Sequence, residues 1–88
     1  MEIHKKIWPE YFDKVGSGEK SFEIRLADFG CSPGDILVLE EWDPKDKKYT
    51  GRKLRRKVTY ITRFNPQKFW SQDDVERFGV YIISIRSE

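Results

Sequence analysis

The connections between strand-length segments constrain the fold of this chain more than any other feature. Five segments have the length and alternation of β-strands: Glu2 to Ile7, Lys20 to Leu26, Ile36 to Trp42, Arg52 to Arg63 and Gly79 to Arg86. Parallel neighbours require a crossover of about a dozen residues or more, usually helical, whereas antiparallel neighbours are joined by turns. Only the first connection reads as such a crossover. A doubly wound parallel sheet is therefore excluded. The expectation is α+β and mainly β: a mostly antiparallel sheet curled into a small barrel, with one N-terminal helix packed against it.

That helix is expected from about Pro9 to Val15. Pro9 suits the first helical position, where no amide donor is needed. Trp8, Tyr11, Phe12 and Val15 fall at i, i+3, i+4 and i+7, an apolar stripe, and Glu10 and Lys14 are spaced as an i,i+4 pair on the other side. Gly16-Ser17-Gly18 ends the helix and supplies freedom for positive φ. In the next segment Phe22, Ile24 and Leu26 alternate with Ser21, Glu23 and Arg25. Cys31 to Asp35 is a turn. Ile36 to Trp42 is nearly all apolar, as befits an interior strand buried on both faces. With Arg52 to Arg63 it makes a hairpin with a charged tip. Phe64 to Phe78 lacks a clear period. Asn65-Pro66 reads as a turn and Ser71 to Asp74 as one capped helical turn, while Phe64, Phe69 and Trp70 suggest a packed flap.

Eighty-eight residues suit one domain, 1–88, with a modest core. Cys31 is the only cysteine and sits in turn sequence, so a disulfide framework is excluded and a reducing compartment fits. With His4 the only histidine, no metal site is expected, and nothing points to a cofactor. No apolar run approaches the roughly 20 residues that span a bilayer, and the polar start is unlike a signal peptide. A cytoplasmic protein without membrane association is expected, with a monomer favoured. The balance of 17 basic and 15 acidic residues, net +2, argues against wholesale coating of nucleic acid.

The densest chemistry lies at Gly18-Glu19-Lys20-Ser21-Phe22-Glu23-Ile24-Arg25, which reads G-x-K-x-x-E-x-R. Strict alternation puts Glu23 and Arg25 on one face and Lys20 with Phe22 on the other. Bringing the three charges together requires an irregular start near Gly18. Either the charges satisfy one another and close the barrel, or they line a ligand cleft. In a cleft, Arg25 offers a planar fork and Lys20 a point charge to phosphate or carbonyl oxygens, and Glu23 accepts from a base amino group.

This motif, following a strand and a helix, resembles the signature of ASCH domains in the PUA-like superfamily. His4 to Phe12, Lys20 to Arg25 and Pro33 to Leu39, continuing through Tyr49-Thr50-Gly51-Arg52 to Gly79-Val80-Tyr81, look like the small bacterial and phage ASCH-like family DUF3850. The resemblance covers nearly the whole chain. It implies a PUA-like barrel of five or six strands, with Gly18, Lys20, Glu23 and Arg25 lining a cleft beside the first helix, and RNA or a modified nucleotide as partner. Some ASCH proteins of similar length remove the acetyl group from 4-acetylcytidine, using a motif Lys, a Thr and a later Glu. Lys20 matches that Lys, but Glu23 occupies the position of the Thr. A ribonuclease role has also been suggested for ASCH proteins, yet the motif region here has no His.

The leading expectation is thus RNA or modified-nucleotide binding. A hydrolase using Lys20 and Glu23 as catalytic residues is the alternative, and a phage or host protein-interaction module is a third. The attraction between Glu23 and the Lys20 ammonium favours holding a ligand over proton abstraction. Arg52, Lys53, Arg55, Arg56 and Lys57 put five cations into six residues. They form either a solvated arm that guards an edge or a phosphate-tracking one. Trp8 is the best candidate to stack on a base, and His4 is either a structural hydrogen-bonder or a cleft residue.

Overall fold

The computed structural model describes residues 1–64 and 70–88. The turn expected at Asn65-Pro66 and the packing of Phe64 and Phe69 lie outside the described residues. The chain runs β1 (Glu2–Ile7), α1 (Pro9–Ser17), β2 (Phe22–Leu26), β3 (Ile36–Asp43), β4 (Lys48–Phe64), α2 (Gln72–Phe78) and β5 (Val80–Ser87). The strands form one sheet in the order β1-β3-β4-β5-β2. β1 lies parallel to β3, and the other three pairings are antiparallel. The sheet curls into a half-barrel whose two edges are β1 and β2.

The first crossover therefore does not place β2 beside β1. The chain crosses the barrel mouth through α1, lays β2 against β5, and returns to put β3 beside β1. The helices number two among the described residues, not one: the cap at Ser71 opens a seven-residue helix, with the Ser71 side chain accepting from the Asp74 amide at 3.2 Å. β3 sits between β1 and β4 with Leu37, Val38 and Leu39 buried. β4 is longer than its alternation suggested, reaching back to Lys48. Its register with β5 shifts between Val58 and Tyr60, and that of β3 with β4 shifts between Glu40 and Trp42. Such irregularities bend a strand and increase its twist, which curls a sheet without closing it.

α1 packs its Phe12 and Val15 onto the concave face, against Ile7, Leu37, Leu39, Val58, Ile83 and Ile85. Each such side chain, fully buried, contributes on the order of 1.5–3 kcal/mol. The apolar stripe of the helix divides: Phe12 and Val15 enter the core, while Trp8 and Tyr11 remain about half exposed at the barrel mouth. Lys14 pairs with Glu19 at 2.9 Å across the helix end rather than with Glu10. Gly18 takes the left-handed conformation, φ 86°, that terminates α1.

Candidate functional site

The turn after α1 positions the motif. The Gly18 amide donates to the Val15 carbonyl at 3.1 Å, and the Lys20 amide reaches back six residues to the Lys14 carbonyl at 3.0 Å. The Ser17 hydroxyl donates to the same Lys14 carbonyl at 3.1 Å. These bonds satisfy helix-end carbonyls that would otherwise lack partners. They also hold Lys20 outside the strand, which begins at Phe22, so the alternation rule does not govern it.

Glu23 is the hub of the cluster. Its register partner is Ile83, a fully buried residue of β5, and its side chain points to the concave face with 3% exposure for the residue. One carboxylate oxygen accepts from Lys20 Nζ at 2.5 Å. The other accepts from Arg25 Nε at 2.9 Å. Arg25 Nη2 then donates to the Lys6 carbonyl of β1 at 2.6 Å. This last bond ties one sheet edge to the other across the open seam. Lys20 Nζ also donates to the Phe22 carbonyl at 2.7 Å and lies 4.9 Å from the centre of the Phe22 ring.

The ion-pair network and the cleft, posed as alternatives by the sequence, occupy the same place. A cavity of about 930 Å³ lies at this seam, lined by the three charged residues together with Trp8, Tyr11, Phe22, Ile24 and others. Phe22 and Ile24 are about half exposed although they alternate like core residues, and the polar parity of β2 is the buried one. β2 is an edge strand, so both of its faces border the opening. Phe22, Ile24, Lys6 and Trp70 also line the cavity, and sequence reasoning did not single them out as site residues. For Phe22 and Ile24 the available signal was their place in the motif itself. Lys20 and Arg25 supply two cations to the lining against the one carboxylate of Glu23, so the cleft carries a net positive charge, while the Lys6 ammonium lies over the Trp42 ring at 3.8 Å.

The remaining candidates lie elsewhere. His4 is not among the residues lining the cavity; its Nδ1 is 2.8 Å from Glu40 Oε1. The basic run is largely bound to carboxylates. Arg52 pairs with Asp13 at 2.7 Å and with the buried Glu41 at 3.1 Å, and lies over the Phe12 ring. Lys53 faces Glu40 at 3.8 Å. Arg55 joins Glu2 at 2.6 Å and Glu88 at 2.8 Å. Hydrogen bonds from Arg55 hold the Glu2 and Glu88 carboxyls below the usual glutamate range, and the same bonds, donated to Glu88 and Glu2, raise Arg55 in turn. Arg56 donates to the Arg55 and Val15 carbonyls at 2.9 and 3.5 Å, and Lys57 makes no ion pair among the described residues. Burial, then the Asp35 carboxylate, pushes the Cys31 thiol up, away from the nucleophilic thiolate. Among the described residues no group of three or more His, Cys, Asp or Glu side chains is arranged to hold a metal ion, and no helix is long and apolar enough to cross a membrane.

The family model described as "Domain of unknown function (DUF3850)" matches residues 3–74, a span that includes the motif and both sheet edges. The chain belongs to the DUF3850 family. Its fold is also similar to that in the crystal structure of hypothetical protein PH0355, with a TM-score of 0.75 and 21% sequence identity, over 98% of each chain. At that identity the likeness to this DUF3850 protein is one of fold. No curated protein matches the chain.

Proposed function

We propose that this DUF3850 protein is an ASCH-type member of the PUA-like superfamily that binds RNA or a modified nucleotide in the seam between β1 and β2, in the cytoplasm. The observation that carries the reading is the make-up of the cleft. Half-exposed aromatic side chains, Trp8, Tyr11 and Phe22, surround a floor of fixed charges. Aromatic rings stack on bases of any sequence, each contributing about 1–3 kcal/mol. Lys20 and Arg25 offer donors to carbonyl or phosphate oxygens, and the remaining acceptor capacity of Glu23 suits an exocyclic amino group.

Binding is favoured over hydrolysis by how Lys20 is engaged. Its ammonium donates to both Glu23 and the Phe22 carbonyl, an arrangement that fixes it as a hydrogen-bond donor in the cleft rather than aiming it at a substrate as a nucleophile. A hydrolase built on Lys20 and Glu23 requires turnover of an acylated cytidine or of RNA, abolished by Lys20→Ala in a protein that remains folded. The binding reading is tested by titrating the protein with single-stranded RNA at several salt concentrations. Affinity is expected to fall steeply with salt and to drop in Trp8→Ala and Lys20→Ala. Absence of binding at low salt would overturn it.

A further inference from the structure

A second, smaller cavity of about 320 Å³ lies on the other side of Lys20, lined among others by Ser17, Gly18, Ser21, Arg56 and Arg86. Lys20 lines both cavities. The smaller one has no carboxylate in its lining. Glu19 accepts from the Ser17 hydroxyl at 3.4 Å and pairs with Lys14 at 2.9 Å.

Its two arginines, Arg56 of β4 and Arg86 of β5, differ from Arg52 and Arg55. Arg52 and Arg55 are neutralised by carboxylates. Arg56 donates only to backbone carbonyls, and Arg86 has no side-chain hydrogen bond or ion pair among the described residues. Neither charge is compensated. Arg56 shares its parity with Arg52 and buried Val58 and points toward the end of α1, where no carboxylate meets it, whereas Arg55 points to the opposite face and meets Glu2 and Glu88; Arg86, the register partner of Lys57, lines the cavity from the opposite parity. The helix end would repel an anion through its carbonyls, but those of Lys14 and Val15 already accept from Lys20, Ser17, Gly18 and Arg56. The Ser21 hydroxyl makes no hydrogen bond among the described residues.

We infer that the smaller cavity is a phosphate site, and that the ligand of this protein is a phosphate-bearing nucleotide rather than a free nucleoside. The base occupies the aromatic cleft, the phosphate meets Arg56, Arg86 and Ser21, and Lys20 stands between the two. This inference rests on the nucleotide-binding reading of the larger cleft and adds which part of the ligand lies where. The phosphate belongs either to a free nucleotide or to an RNA backbone, since both present the same oxygens to an arginine fork.

The experiment is calorimetric titration of the protein with nucleosides, their 3′- and 5′-monophosphates and a short single-stranded RNA, repeated on Arg86→Gln. Arg86 has no partner to lose, so this variant keeps its fold, which thermal melting verifies. A monophosphate is expected to bind about tenfold or more tightly than its nucleoside, the scale of one charge-assisted hydrogen bond. Arg86→Gln should remove most of that advantage and leave nucleoside affinity unchanged. An RNA that binds more tightly than any monophosphate assigns the phosphate to a backbone, and the reverse order assigns it to a free nucleotide; either supports the site. Equal affinity for nucleoside and monophosphate, or an advantage that survives both Arg86→Gln and Arg56→Gln, overturns the phosphate site alone. Failure of every nucleoside, nucleotide and RNA to bind overturns the cleft reading and this inference together.

Discussion

Two charged clusters in this molecule use the same residue types to opposite ends. At the seam, one buried carboxylate, Glu23, is shared by Lys20 and Arg25. On β4, Arg52, Lys53 and Arg55 are spread among Asp13, Glu41, Glu40, Glu2 and Glu88, for the most part at the surface. The seam has more cations than anions and borders a cavity. The β4 mesh has acids enough to satisfy its bases. Charge density along the sequence is therefore a poor guide to binding. What matters is how many counter-charges the fold brings back, and three of the five cations in this run meet acids from other elements.

The largest effect separating the two clusters is expected at Glu23. Glu23→Ala leaves two half-buried cations without their counter-charge and should destabilise the fold by about 3 kcal/mol, measured by urea denaturation. A cost below that of surface variants would erase the distinction. Arg25→Ala removes both the Glu23 contact and the tie to the Lys6 carbonyl, with an expected loss of about 2 kcal/mol and faster amide exchange along β1 and β2. Gly18→Ala meets no atom within 4 Å but must adopt φ 86°, so about 1 kcal/mol of backbone strain is expected, with weaker ligand binding because the Lys20 anchor shifts.

The smallest effect belongs to the mesh. Arg55→Gln should lower the melting temperature slightly, and high salt should abolish the difference. The Glu23 effect should persist in salt. The pH dependence has a defined sign. Glu2 and Glu88 have folded values below their ordinary 4.5, so their contribution is present above that value and lost as pH falls through the lowered folded values. The gap between wild type and Arg55→Gln should therefore be full near neutrality and vanish in acid. A gap that grows on acidification contradicts the pairing.

Much of the fold was legible because it is local. The alternation of β5, the Pro9 start of α1 and the Gly18 stop are written within a few residues of where they act. The parity of β2 was misleading for a physical reason: on an edge strand beside a cleft, the apolar residues stay at the mouth and the acid goes inside with two partners. Lys20 joined the cluster through the irregular start that alternation had required, but its anchor, a backbone bond to Lys14, carries no sequence signature. The partners of Arg55 lie 53 and 33 positions away, and only the folded sheet brings them together. Sheet order was likewise illegible, since β2 pairs with β5 at the opposite end of the chain.

The central claim is that the seam between β1 and β2, and not the basic stretch of β4, receives the ligand. Amide chemical shifts followed during titration with single-stranded RNA and with nucleotides test it most directly. The account predicts that Lys20, Glu23, Arg25 and the Trp8 indole move together while Lys53 and Arg55 stay in place. Shifts confined to 45–57, or none at the motif at saturating ligand, would contradict it.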